Sequence, residues 1–450
     1  MRPTTRIALV VLPFIVLAGA IAARLRLQHD FEPMFALRHP IPIAIVFPDI
    51  ARSQEAGIVF GVLALGAVGY ALIVHDARAI PRSWLVWSGG GAAIFALAWP
   101  LVYSADIYSY AAYGIQLLRG VNPYAAPIVS AVRVPELIEP LRAWSGMIPR
   151  DIGGPLFTLL CGLAAALGQP VALLRVLAVA AYVVCVRFWP DDDPRGAAFF
   201  GAHPVVVWAA AEGHNDILAF VFIVLAWRTG GRWGWGLRIV AALMKAFAIV
   251  PLVATCLQRG YRAVAFGLAA AILVIGYYGA IAGLPHDAAR GGPTELHFSA
   301  LGLATLGTVP LALRVMGAAL SAAIVLCCIV LRREGAPALL LAAWALFPTA
   351  YPWWATWIAA VIARNPPSAS WAALIAVSFA SLATYLPTIR YGAHISANAL
   401  PEISFAGAVL AVIYLIPLLV VATAQINERR SSDRPPWPSM DFGDEPALII

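Results

Sequence analysis

Long apolar runs, each closed by charge, glycine or proline, recur along the chain. They fall near residues 6–24, 55–75, 84–103, 170–188, 196–211, 217–228, 262–283, 310–331, 336–350, 353–364, 370–388 and 403–424. Most approach the roughly 20 residues that a helix needs to cross a bilayer, where only a helix pairs all its backbone groups within one segment. The pattern therefore predicts an all-α, polytopic integral membrane protein with about 12–14 transmembrane helices. One further run, 155–168, "PLFTLLCGLAAALG", is short for a span and is expected to lie in or dip into one leaflet. The first run has a basic start and a small-residue end, as a cleaved signal would. Its length favours an uncleaved first helix.

A different pattern follows the third run. "SADIYSYAAYGIQLLRGVNPY" spans Ser104 to Tyr124. Ser104 suits a helix cap, and Asp106 a first turn, where the helix dipole favours a carboxylate. Ile107, Tyr110, Ala111, Gly114 and Leu118 recur at helical spacing. Arg119 and Gly120 signal the end, and "NPY" a turn. The expectation is an amphipathic helix lying at the water–lipid boundary.

Composition sharpens the class. Hydrophobic residues make up 62% of the 450 positions and charged ones 12%, against roughly 25% charged in ordinary soluble domains. A soluble fold of this size cannot hide that much apolar surface. The net charge of +7 would elsewhere raise the question of nucleic acid. Here the basic residues sit in short loops, and no nucleic-acid partner is expected. Arg2, Arg6, Arg78, Arg82, Arg228, Arg232, Arg238, Arg259, Arg262, Arg332, Arg333, Arg429 and Arg430 share one side if the N-terminus is cytoplasmic. The stretches 25–54, 104–169, 284–309 and 388–402 then face outward. "LRIVAALMKAFAIVPLVATCLQR" is basic at both ends, so one straight span would break the rule. A hairpin of two short helices turning near Lys245 keeps it. Residues 1–427 read as a single multi-pass domain whose outer catalytic loop is 104–169. The Pro-rich polar stretch 428–450 reads as a disordered cytoplasmic tail. The five cysteines lack metal-ligand spacing and read as small core residues.

The candidate chemistry lies on the outward side. Asp106 stands where a span ends, either as a helix start or as a surface base. "WAAAEGHNDILAF" packs Glu212, His214, Asn215 and Asp216 between apolar runs. Its alternatives are a solvated turn and a site that grips hydroxyls or a cation. Lys245 is alone in an apolar stretch. Such a lysine either snorkels or serves function, for instance against a lipid phosphate. The loop "LPHDAARGGPTELHFSA" offers Arg290 and His297, with Arg290 a second phosphate candidate. "FPTAYPWWATW" sets Trp353, Trp354 and Trp357 either in an interfacial belt or along a groove for a sugar or an isoprenoid.

Taken in order, "SADIYSYAAYGIQLLRGVNPY", "GGPLFTLL", "HPVVVWAAAEGHNDIL", "ALMKAFAIVPL" and "YPWWATW" resemble the GT-C superfamily of polyprenyl-phosphate-sugar-dependent membrane glycosyltransferases. The nearest likeness is to the actinobacterial polyprenyl-phosphomannose-dependent α-1,6-mannosyltransferases. The resemblance runs from about residue 100 to 360. It implies a catalytic aspartate in the first large outer loop, which maps to Asp106. It implies that the Glu212–Asp216 turn shapes the acceptor or donor site and that Lys245 lies near the donor phosphate. Tyr110, Arg290, His297, Trp353 and Trp354 join the expected substrate-binding set. "PWW" stands where the family pattern would have "PWY". The implied partners are a polyprenyl-phosphate sugar donor, a glycan or glycolipid acceptor, and membrane lipid. The chemistry expected is inverting transfer of a sugar, mannose by resemblance, on the outer face of the cytoplasmic membrane. No cofactor is marked by a motif, and a divalent metal is left open. The rival expectation is a transporter or flippase of cell-envelope intermediates, since broken helices and intramembrane charges suit transport too.

Overall fold

The computed structural model describes residues 2–13, 68–97, 104–129, 134–190, 194–245, 311–330, 355–364 and 415–431, apart from short gaps at 105, 126, 144–146, 149 and 152, together with residues 65–66, 248 and 252. The described chain is helical except for one small ribbon. In order come α1 (Pro3–Pro13), α2 (68–75), α3 (Arg82–Leu85), a π-helical turn (Val86–Gly90), α4 (Gly91–Leu97) and α5 (Asp106–Leu118). The antiparallel strands β1 (Ile128–Val129) and β2 (Met147–Ile148) flank α6 (Ile138–Ala143). Then follow α7 (Pro155–Ala166), α8 (Pro170–Arg187), α9 (Pro194–Gly201), α10 (Pro204–Glu212), α11 (Asn215–Thr229), α12 (Gly231–Met244), α13 (Leu311–Val330), α14 (Ala355–Arg364) and α15 (Ile416–Ser431).

Several boundaries fall where the sequence places them. Among the described helices α8, with 18 residues and so about 27 Å long, is the one apolar and long enough to cross a membrane by itself; α10 and α11 form a bent pair at 116° that passes only together. Other readings need correction. The single run expected at 196–211 is two helices, α9 and α10. Pro204 lacks the N–H needed to continue α9 and instead occupies the first position of α10. The last helix reaches Ser431, into the stretch expected as tail. Cys161 and Cys185 are core residues as expected, but Cys327 is exposed. The expected spans at 262–283, 336–350 and 370–388 lie outside the described residues.

The bundle has two chemically different ends. At one, the Asp76 carboxylate accepts from the Arg2 backbone N–H and the Thr5 hydroxyl, so it caps α1. Its acidity is strengthened, first by the Thr5 hydrogen bond. Arg82 reaches the carbonyls of Arg187 and Pro190 at the same end. At the other end the buried guanidinium of Arg175, near the start of α8, ties α4 to α10. It donates to the carbonyls of Ala96 at 2.8 Å and Ala211 at 3.0 Å. Helices α8 and α11 descend from this second end, and α10 and α12 rise to it.

A column of aromatic rings, buried except for partly buried Trp357, links α9, α11 and α14. Trp189 stacks on Phe200 with centroids 4.8 Å apart, Phe200 meets Phe220 at 5.0 Å, and Phe220 meets Trp357 edge-on at 5.5 Å. Such pairs add roughly 0.5–1.5 kcal/mol each beyond burial.

Helix α5 corrects another expectation. It runs over the expected residues but does not lie on the surface with one apolar face. Residues Ile107 to Gly114 are buried on every side. Two features permit this. A Cβ on Gly114 would come within 2.2 Å of the Cys161 carbonyl oxygen, so only glycine lets α5 and α7 approach so closely. The tyrosine hydroxyls also find partners: Tyr110 donates to Asn215, and Tyr113 to the Arg150 carbonyl at 3.2 Å.

Candidate functional site

Asp106 begins α5, and its backbone N–H donates to the Ser104 hydroxyl at 3.2 Å, so Ser104 caps the helix as expected. The Asp106 side chain is 22% exposed, whereas the His214 side chain beside it is 1% exposed. His214 Nδ1 lies 3.7 Å from Asp106 Oδ2, and its Nε2 lies 3.8 Å from Glu212 Oε2. The imidazole thus stands between two carboxylates, with the Trp208 ring 5.5 Å away. Burial raises the Asp106 pKa; His214 and Lys245 pull it down, and the Asp216 charge pushes it up.

The turn that carries His214 is set by Gly213, with φ of 79°, in the left-handed region. A Cβ there would meet Ile107 Cδ1 at 2.8 Å and Arg175 Cγ at 3.0 Å. Gly213 therefore lets the α10–α11 turn press onto α5 and α8. That contact brings residues a hundred positions apart into one group.

Helix α12 ends at Met244, and Lys245 is extended, with φ −152° and ψ 133°. The helix thus ends where the charge pattern expects a break, and the expected second short helix falls largely outside the described residues. The Lys245 ammonium donates to Asn215 Oδ1 at 2.7 Å and to Asp216 Oδ2 at 2.6 Å. Asp216 is fully buried, and its other oxygen accepts from the Trp357 indole N–H at 2.6 Å. Tyr110 donates to Asn215 Oδ1 at 3.3 Å. Asp216 and Phe220 lie one turn apart on α11, so the edge-on Phe220 contact holds the Trp357 ring where its N–H meets the carboxylate.

A neighbouring latch fixes the loop before α7. Buried Asp151 accepts from the Gly153 N–H at 2.6 Å and from the Thr158 hydroxyl at 2.6 Å. Burial dominates these bonds and pushes its pKa up to about 6. The Gly154 N–H then donates to the Met244 carbonyl at 3.1 Å, joining this loop to the Lys245 break.

Asp106, Tyr110, Glu212, His214, Asn215, Asp216 and Lys245 thus meet at one end of the bundle. Arg290, His297, Trp353 and Trp354 lie outside the described residues. Arg175 and Asp151 were not among the expected site residues, and Trp357 was expected in a belt or along a groove, not as a partner of Asp216. An arginine inside "PVALLRVLAVAAYVV" is a signal of the same kind as Lys245, and it was available in the sequence. Among the described residues, no three of His, Cys, Asp or Glu are grouped so as to hold a metal ion. Comparison with known protein families, with curated proteins and with solved structures found no match.

Proposed function

We propose that the protein is a multi-pass membrane glycosyltransferase of GT-C type, moving a sugar, mannose by resemblance, from a polyprenyl-phosphate donor to a glycan or glycolipid acceptor on the outer face of the cytoplasmic membrane. The observation that carries this reading is the partly exposed Asp106 carboxylate, beside His214, at the end of the bundle away from the basic loops. Asp106 takes the acceptor hydroxyl proton while the bond from the anomeric carbon to phosphate breaks. One carboxylate suffices as base, and the displacement inverts the anomeric centre. Lys245 spends two donor directions on Asn215 and Asp216. An ammonium has three, and the third serves a phosphate oxygen. Arg290 is a second candidate for that phosphate. A divalent ion remains open and is an arm of the test.

The buried Lys245–Asp216 pair at a helix break favours a second reading, a transporter or flippase of cell-envelope intermediates. One assay separates the two. Purified protein reconstituted into sealed vesicles is given radiolabelled polyprenyl-phosphomannose and a mannan acceptor, with and without chelator. Transfer of label supports the enzyme, and its loss with chelator would bring in a metal. Label that crosses a vesicle membrane without reaching acceptor supports transport and overturns the enzymatic reading.

A further inference from the structure

Asp106 and Glu212 come from different helices, yet both face one buried imidazole. His214 Nδ1 is 3.7 Å from Asp106 and Nε2 is 3.8 Å from Glu212. The exposures of the three side chains are graded, at 22% for Asp106, 1% for His214 and 4% for Glu212. Only the outermost meets solvent appreciably. Among the described residues, the other charged or titratable groups around them are Arg175 from α8, whose charge acts on Glu212, Tyr108, which acts on Arg175, and Asp216, Lys245, Tyr110 and Tyr113, which act on Asp106 or are acted on by it. The Lys245–Asp216 pair is internally neutral. Among the described residues, the Asp106 and Glu212 carboxylates, at 3.7 and 3.8 Å, are therefore the charges set against the ring, with Arg175 acting on Glu212.

We infer that His214 is a proton store for Asp106, and that Glu212 is the fixed counter-ion that makes the store favourable. This rests on the transferase reading above. The proton balance closes. As the acceptor oxygen bonds to the anomeric carbon, its proton passes to the Asp106 carboxylate, and the electron pair of the breaking bond leaves with the lipid phosphate. Asp106 then gives that proton to the Nδ1 lone pair of His214, forming an imidazolium between two carboxylates. The two carboxylates attract an imidazolium, and that attraction is stronger in a low-dielectric setting than in water. Asp106 is thereby kept as a carboxylate while the glycoside is still bound, which opposes the reverse reaction. After product leaves, the proton returns by Asp106 to water, and neither buried group needs its own path to solvent. The contacts of 3.7 and 3.8 Å are longer than hydrogen bonds. Such contacts commonly tighten only when substrate is bound, or are closed by one water.

The test is the acid side of the kcat–pH profile for sugar transfer by the full-length protein. Protonation of Asp106 removes the base and protonation of His214 fills the store, so the wild-type limb should be steeper than the slope of one that a single group gives. His214→Gln should lower kcat by at least about tenfold, within the ordinary range for proton-transfer groups, leave the KM for donor near wild type, and reduce the slope to one. Glu212→Gln removes the counter-ion and should move the limb to lower pH, and it serves in place of His214→Gln if that variant does not fold. A slope of one in the wild type, or a limb unmoved in Glu212→Gln, overturns the store. A wild type that transfers no sugar overturns the transferase reading, and the store with it, at the first step. The two failures are therefore distinct.

Discussion

Asp106 is the residue on which the proposed chemistry turns. Asp106→Asn keeps the size and the Ser104 cap but cannot accept a proton, so turnover should fall by at least about a hundredfold, the usual scale for a lost general base. The unfolding temperature should stay near wild type, and near-normal turnover would leave Asp106 as a helix start. Burial raises the Asp106 pKa, and the charged form is the active one. Activity should therefore be lost as pH falls through a value above that of an ordinary aspartate. Lys245 calls for a different test. Its partner Asp216 is fully buried, so Lys245→Met strands a carboxylate and should destabilise by about 3–5 kcal/mol. Lys245→Met with Asp216→Leu removes both charges and should regain most of that stability in thermal unfolding while donor use stays impaired. Full donor use in the double variant would remove Lys245 from the phosphate site. The candidate residues Asp106, Glu212–Asp216 and Lys245 were legible in the sequence because an ionisable group inside an apolar stretch stands out. Their pairing was not. Which cation answers Asp216, and that Trp357 holds it, depends on helices α11, α12 and α14 meeting in space, and local spacing carries no record of that.

At the scale of elements, two helix ends that the sequence marked with charge or glycine were placed well. Helix α5 ends before Arg119–Gly120, with Gly120 at φ 70°, and α12 stops at Lys245. The break between α9 and α10 was missed because the apolar run continues through it, and only His203–Pro204 marks it. The burial of α5 was missed because tyrosine suits both an interface and a core, and Gly114 shows its use only when α7 is in view. Two predictions belong here. Gly213→Ala forces a side chain into left-handed backbone and against Ile107 and Arg175. It should destabilise by about 1–3 kcal/mol and reduce turnover although residue 213 takes no part in the chemistry. An alanine variant with unchanged activity would show that the turn need not press on α5. Asp151 has its pKa raised from 3.8 to about 6 by burial. Its contribution to stability is fully present below the unfolded value and is lost as pH rises through the folded one. That change of about two units amounts to roughly 3 kcal/mol. Asp151→Asn keeps an acceptor for the Gly153 N–H and should flatten the dependence of the unfolding midpoint between those pH values. A slope equal to wild type would mean that Asp151 does not titrate in that window.

For the whole molecule, the separation of the two ends becomes a statement about sidedness. The basic end gathers Arg2, Arg82, Arg187 and the turn at Arg232, and the site end gathers Asp106, Glu212, Asp216 and Lys245. The proposed orientation sets the first toward the cytoplasm, because short basic loops resist translocation, and the second toward the outside, where donor and acceptor would meet. Ser109 is buried and donates to the Asp106 carbonyl, so a cysteine there would report packing instead of sidedness. Val121, 50% exposed just beyond α5, and Trp233, 71% exposed at the start of α12, are better reporters. Cys327 is itself exposed and must first be replaced by serine. In intact cells, Val121→Cys should react with an impermeant thiol reagent, and Trp233→Cys only after the membrane is opened. The opposite pattern would put Asp106 on the cytoplasmic side, away from any outer acceptor. Equal labelling of both in intact cells would deny that a membrane separates the two ends, and the spanning arrangement would fall with it.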